Sequence, residues 1–244
     1  MKRLLLLLVI ASFPAIFFAK SIYSNEQVQQ ARTVANMVEM IGKWAAQYKG
    51  IWIKEAKGEV VDLNSHLDTL AVNLVNQDNS LTDQESVQET LNFHLKNPAL
   101  VQREISDLMK NDNAKTSFRI TSDKYMNPKN SPNSFERKAI ETMRENKSSE
   151  YFEERNGKML YARALVATEA CMRCHESAQK APAAVQALYP KQGYGYQLGQ
   201  VEGIISVQIP DAFGPKTLLA AFDWLSAAIA AIALVLAAMV LRKN

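Results

Sequence analysis

The chain has few residues that bind metals strongly: two cysteines and three histidines among 244 residues. Zinc usually takes four protein ligands, and Cys171, Cys174 and His175 supply only three of them in one stretch. His66 and His94 are the other histidines of the chain. This scarcity disfavours a zinc site, although zinc stays open as an alternative at this stage.

The chain also lacks a large excess of charge of either sign. Its 28 basic and 25 acidic side chains give a formal net charge of +3, which is too small to indicate a strongly polyanionic partner. The sequence contains no basic patch interleaved with aromatic residues, no internal repeat and no low-complexity linker. We therefore expect no nucleic-acid partner and a single folded domain of ordinary size.

The two cysteines form a specific pattern with a histidine, C-x-x-C-H at residues 171–175. This pattern is the signature of covalent c-type haem attachment. Two thiols at this spacing reach one porphyrin edge, and the imidazole that follows binds the iron from the proximal side. A redox dithiol is the main alternative, but no β-α-β pattern surrounds the motif. The sequence therefore predicts one covalent haem c, held by Cys171, Cys174 and His175.

Apolar stretches lie at both ends of the chain. Residues 1–20 have a short basic head and an apolar run, as in a signal peptide or an uncleaved signal anchor. Residues 217–241 are long and apolar enough to predict a transmembrane helix, followed by a cytoplasmic tail at 242–244. Because c-type haem is attached outside the bacterial inner membrane, we expect that membrane as the location, in contact with the lipid bilayer. The main domain, residues 21–215, would then lie in the periplasm.

Hydrophobic periodicity predicts an α+β fold for this domain. Apolar residues at intervals of three and four indicate a long N-terminal helix over 22–48, and a capping-box pattern begins a helix over 133–146. An Asn-Gly turn predicts a β-hairpin over 149–167, directly before the C-x-x-C-H motif. Other strands are expected at 51–53, 91–96, 118–121 and 202–209, a helix at 99–109 and a partly helical segment at 60–77. Together they predict a largely antiparallel sheet with flanking helices, with the motif between two strands.

Short segments along the domain carry a further pattern. They are Asn97-Pro98-Ala99-Leu100 with Arg103-Glu104, Phe118-Arg119-Ile120-Thr121-Ser122, Asn127-Pro128 with Phe135-Glu136-Arg137-Lys138-Ala139, the C-x-x-C-H box, and Gly193-Tyr194. In this order they resemble the Tll0287-like (DUF3365) family, a PAS-like haem-binding sensor module. The resemblance implies a PAS-like antiparallel sheet, covalent haem c and a sensory role. Arg119 and Arg137 lie in the matching segments, so they are the expected partners of the haem propionates.

The sequence does not decide which group occupies the far side of the iron. A thiolate is excluded, because both cysteines are used in attachment. Methionine more often packs in a core than binds iron, and His94 is expected on the solvent-facing side of its strand. The candidates for this position are Met37, Met40, Tyr48, Lys49 and His66, and an open site is equally compatible.

These features predict a membrane-anchored haem protein that senses redox state or a small gas and signals to a membrane partner. The alternative is a membrane-tethered monohaem electron carrier, which would need a fixed six-coordinate iron and a redox partner. An enzyme is not expected, because no distal acid–base pair such as a peroxidase needs is identifiable. The alanine-rich C-terminal segment and the long helix are compatible with a homodimer.

Overall fold

A long helix, α1 (Lys2–Gln47), leads into the rest of the fold in the computed structural model of this chain. The structure describes residues 2–56, 66–75, 87–112, 114–210, 213–220 and 224–242. The predicted N-terminal helix is confirmed, and α1 extends it toward the chain start. One face of α1 is buried and carries Ala31, Ala35 and Val38. Small side chains on this face let the helix approach its neighbours closely.

Further helices lie near the C-terminal end of the chain. They are α6 (Pro215–Ala220) and α7 (Trp224–Arg242). Within the described ranges, no helix combines the length and the apolar character needed to cross a membrane. The transmembrane helix expected at 217–241 and the signal-anchor alternative for 1–20 therefore receive no support from the structure.

The strands form two antiparallel sheets in the described part of the chain. The smaller sheet has the order β1-β3-β2 and comprises β1 (Ile51–Lys54), β2 (Asp68–Val75) and β3 (Val87–Lys96). The larger sheet has the order β4-β7-β6-β5 and comprises β4 (Ser117–Thr121), β5 (Glu150–Arg155), β6 (Lys158–Val166) and β7 (Val201–Ile209). The α+β class, the antiparallel pairing and the long N-terminal helix are confirmed, although the strands divide between two sheets.

The segment expected to be partly helical at 60–77 contains strand β2 over its described part. Leu70, Val72 and Leu74 alternate there with shorter or polar residues, and a period of two is that of a strand. The helical prediction was wrong for residues 68–75 because this alternation outweighs the weak helical spacing. Residues 66 and 67 are described and are not helical, whereas residues 60–65, 76 and 77 lie outside the described residues.

Helices cover both faces of the larger sheet. Helices α1 and α2 (Pro98–Asn111) contribute to the apolar core that includes Ile205 of β7, whereas α3 (Ser134–Asn146) contributes to the core that includes Ile204. Successive strand residues point to opposite faces, so β7 is buried on both sides. The predicted capping box is confirmed, because Asn133 and Glu136 each accept the other's backbone N–H with their side chains. This arrangement fixes β7, which follows the C-x-x-C-H motif in the chain.

Helix α1 is tied to the larger sheet by a polar contact at Glu150 of β5. The Arg32 guanidinium donates to both carboxylate oxygens, with Nε 2.9 Å from Oε2. The Tyr161 hydroxyl donates to the same Oε2 at 2.9 Å. The hydrogen bond from Arg32, followed by that from Tyr161, holds the pKa of Glu150 below its ordinary value of 4.5. The charged carboxylate therefore stabilises the attachment of α1.

Replacing Glu150 with glutamine should make the free energy of unfolding less dependent on pH in the acid range. A depressed carboxyl pKa gives stability that is present above the unfolded value and is lost as the pH falls through the folded value. Urea unfolding between about pH 7 and about pH 3 measures this slope. The matched control is Glu145→Gln, at an exposed position on α3, which should keep the wild-type slope. Identical slopes for wild type and Glu150→Gln would contradict the prediction.

Candidate functional site

The C-x-x-C-H motif occupies a short helix, α4 (Glu169–His175), between β6 and β7. Just before α4, the Ala167 N–H donates to the Gln200 carbonyl at 2.8 Å, and the Gly199 N–H donates to the Ala167 carbonyl at 2.9 Å. These bonds fasten the start of α4 to the turn that opens β7. Cys171 lies three residues before Cys174 and four before His175, so one helix face carries all three side chains. The predicted placement between two strands is confirmed.

His175 is oriented by a backbone carbonyl. Its Nδ1 lies 2.7 Å from the carbonyl oxygen of Gly193. A carbonyl can only accept, so Nδ1 donates and the neutral ring has its free lone pair on Nε2. Burial lowers the pKa of His175, which favours this neutral ring. A neutral imidazole with one nitrogen anchored to a carbonyl is the usual state of a metal-binding histidine.

The segment 193–196 encloses His175 from a second direction. The Tyr196 ring stacks on the imidazole, with centroids 4.2 Å apart and an interplanar angle of 18°. The Tyr196 N–H also donates to the carbonyl of His175 at 3.1 Å. Burial is the main cause that raises the pKa of Tyr196 to about 12, so the ring stays uncharged at neutral pH. We call Gly193-Tyr194-Gly195-Tyr196 the proximal clamp.

A buried ionic network supports the proximal clamp. The Glu202 side chain is only 3% exposed and lies 2.8 Å from the Lys124 ammonium and 3.4 Å from the Arg144 guanidinium. Lys124 also donates to the Gly195 carbonyl at 2.7 Å, and the Glu202 carboxylate accepts the N–H of Gln197 at 2.7 Å. A buried carboxylate needs such partners to remain charged. The network therefore joins the clamp to β7 and, through Arg144, to α3.

The state of the two cysteines bears on the alternatives to haem. Both thiols are free, and burial is the main cause that raises the pKa of Cys174. A redox dithiol normally has a lowered thiol pKa, so this environment disfavours the dithiol alternative. In the described ranges, no group of three or more His, Cys, Asp or Glu side chains is placed to hold a metal ion, which leaves the zinc alternative without support.

The candidates for the sixth iron ligand lie mainly at the C-terminal end of α1. Met37, Met40 and Tyr48 have exposed fractions of 59%, 69% and 63%. Core packing, the commoner role of methionine, therefore does not hold for these two methionines. Lys49 follows the helix with a left-handed φ of 61°. The exposed side chains of α1 are not fixed by packing, and none of them is shown to bind iron.

The other two histidines lie together on the smaller sheet. The rings of His66 and His94 are 5.7 Å apart. His94 is only 3% exposed, with Nδ1 3.1 Å from the Thr69 hydroxyl and Nε2 3.5 Å from a carboxylate oxygen of Glu55. The solvent-facing placement predicted for His94 was wrong. Alternation identified the polar face of its strand, but that face is lined by polar neighbours instead of water.

The two arginines expected at the haem propionates have different surroundings. Arg119 donates from Nη2 to the carbonyls of Lys129 and Ser131, both at 2.9 Å, and its Nε lies 3.7 Å from a carboxylate oxygen of Glu136. Arg137 is exposed on α3. Nothing in the structure tests their role toward a porphyrin, which stays a prediction.

Sequence reasoning missed the residues around His175. Gly193 and Tyr194 contributed to the family resemblance without a role, and Lys124, Tyr196 and Glu202 were not singled out. The available signal was the Gly-Tyr-Gly-Tyr run at 193–196, since glycines allow a close backbone approach and aromatic residues cover a ring. Only the fold brings Lys124 and Glu202 to this run.

Comparison with known proteins agrees with this fold. No curated protein matches the chain. The crystal structure of the cyanobacterial haem protein Tll0287 superposes with a TM-score of 0.50 at 16% sequence identity, covering 76% of this chain and 95% of that chain. At this identity the match shows a shared fold. The family model named Tll0287-like matches residues 20–210, and the chain therefore belongs to the Tll0287-like family.

Proposed function

We propose that this chain is a c-type haem protein with one haem, in which Cys171 and Cys174 form the thioether links and His175 is the proximal iron ligand. The observation that carries this proposal is the 2.7 Å contact of His175 Nδ1 with the Gly193 carbonyl, which leaves Nε2 free for a metal. The two free thiols on the same helix face supply the attachment chemistry. The haem-binding relative of the same fold adds support.

The residues of the chain have distinct tasks in this proposal. The Gly193 carbonyl fixes the ring orientation of His175, and the stacked Tyr196 limits its rotation. Glu202, held by Lys124, keeps the clamp in place. Arg119 and Arg137 are proposed to face the propionates. When bound, the haem would supply an iron able to change oxidation state and to take up a diatomic ligand.

We further propose a sensory function for redox state or a small gas. The side chains of Met37 and Met40 on α1, and of Tyr48 just after it, are exposed. Any of them that bound iron could therefore be displaced at little cost in packing. On the other side, the clamp connects His175 to β7 and α3 through Glu202 and Arg144. A change in iron ligation would thereby reach the sheet, which supports sensing over plain electron transfer.

The location proposed for the haem domain is the bacterial periplasm. Covalent attachment of haem c takes place outside the inner membrane, and the chain carries the attachment motif. We propose a membrane signalling protein as the partner that would receive a signal from this domain.

The optical spectrum of the purified full-length holoprotein tests the sensory function. We expect the Soret band of the ferrous protein to shift when carbon monoxide or nitric oxide is added, because an exchangeable sixth position admits a diatomic ligand. The same sample before gas addition is the reference for ligation in each oxidation state. A spectrum that neither gas changes, together with rapid reduction by quinol-linked membranes, would support the electron carrier instead.

A further inference from the structure

A cavity lies between α2 and the outer edge strand β4, built from residues other than those of the haem motif. Its volume is about 210 Å³, and its lining includes Gln102, Arg103, Ser106, Arg119, Lys129 and Asn130. Apart from Ser106, these residues lie in or beside segments that resemble the family, and Arg119 alone among them received a task above. Sites for drug-sized ligands measure about 300–1,000 Å³, so this cavity suits a ligand smaller than a typical drug molecule.

The charge of the lining is strongly one-sided. Arg103, Lys110, Arg119 and Lys129 contribute four cations, and Asp107 is the one acidic side chain among the lining residues that the structure describes. Asp107 is already paired with Lys110 at 2.9 Å. Like charges brought together without a counter-ion repel one another. With Lys110 paired to Asp107 and Arg119 lying beside Glu136, the unbalanced positive charge of the cavity comes from Arg103 and Lys129.

Polar side chains on the inner wall of the cavity are already bonded to the protein, so they do not compete with the cations for a ligand. The Gln102 amide donates to the carbonyl of Val38 at 2.7 Å, and the Ser106 hydroxyl donates to the carbonyl of Phe118. Arg119 is held in place by its two carbonyl contacts and by Glu136. Within the described residues, neither the Arg103 guanidinium nor the Lys129 ammonium has a hydrogen-bond or ion-pair partner. These two cations are free to bind a ligand.

We propose that this cavity binds a small free oxyanion, such as phosphate or a short dicarboxylate. Arg103 would hold the anion with its planar donors and Lys129 would act as a mobile point charge. Arg119 lies in the same lining, but its guanidinium is already bound to two backbone carbonyls and is the proposed partner of a haem propionate, so it is not counted as a ligand of the anion. A haem propionate has the same carboxylate chemistry, so the test separates a free anion from the carboxylates of a bound porphyrin.

Isothermal titration calorimetry of the full-length holoprotein with inorganic phosphate and with succinate tests the proposal. We expect at least one probe to bind, and Arg103→Gln and Lys129→Gln each to weaken its binding about tenfold or more, the usual effect of losing a charged hydrogen bond. The matched control is Lys158→Gln, exposed at the β5–β6 hairpin, which should leave binding unchanged. Lys129 is itself exposed, so its variant should fold normally even if Arg103→Gln does not.

The optical spectrum and reduction potential of the same variants identify the source of the anion. Unchanged haem properties together with weakened phosphate or succinate binding support a free oxyanion site. Three outcomes would overturn the proposal. They are no binding of either probe to the wild type, equal binding by all variants, and a changed haem spectrum without anion binding, which would assign the cations to the propionates.

Discussion

A chain in which Cys171 and Cys174 are both replaced by alanine is expected to keep no haem after denaturation. Covalent attachment needs a thiol at each position, and these are the only two cysteines in the sequence. Iron coordination by His175 alone would be lost when the protein unfolds. A haem stain on a denaturing gel measures the difference, with the wild-type band stained and the variant band colourless.

The matched control for this experiment lies between the two cysteines. Arg173 is exposed on α4, so Arg173→Ala should retain the stain at the wild-type level. If the double variant were stained like the wild type, or if the wild type itself carried no covalent haem, the assignment of the motif would be wrong. A stained Arg173→Ala band beside a colourless double-variant band would show that a substitution inside α4 does not by itself prevent attachment.

The parts of the fold predicted well from sequence are those with local causes. The capping box at Asn133 and Glu136 and the turn at Asn156-Gly157, where both residues have positive φ, depend on contacts within a few residues. The division of the strands into two sheets does not depend on such local contacts. It arises because β3 pairs with both β1 and β2, and no short-range pattern states which strands will meet.

Prediction of the candidate site from sequence was also confined to its local features. The motif at 171–175 was visible because its chemistry lies in five consecutive residues. Gly193, which orients His175, is 18 positions further along the chain, and Lys124 and Glu202 are 78 positions apart. The burial of His94 was missed for a related reason, since strand alternation separates two faces but does not tell which one the fold covers.

The Gly193→Ala variant is expected to lose about 3 kcal/mol of stability, against about 1–2 kcal/mol for Gly195→Ala. Both glycines have left-handed φ angles, 90° and 84°, so both variants carry a similar backbone strain. A Cβ on Gly193 would also lie 2.5 Å from Cβ and 2.7 Å from Cα of Met126, whereas a Cβ on Gly195 would meet no atom within 4 Å. No side-chain rotation moves Cα or Cβ of Met126, so the backbones at Gly193 and Met126 must move apart. The difference in the free energy of unfolding between the two variants, measured in urea, isolates the cost of this steric contact.

The shift at Gly193 should also reach the proposed iron ligand. Its carbonyl holds His175 Nδ1 at 2.7 Å, and an imidazole released from that contact loses its fixed orientation and part of its basicity. The iron–histidine stretching frequency of the ferrous holoprotein, measured by resonance Raman spectroscopy, should therefore fall in Gly193→Ala and stay at the wild-type value in Gly195→Ala. Equal frequencies in both variants, despite unequal stabilities, would mean that the clamp stabilises the fold without acting on the proximal ligand.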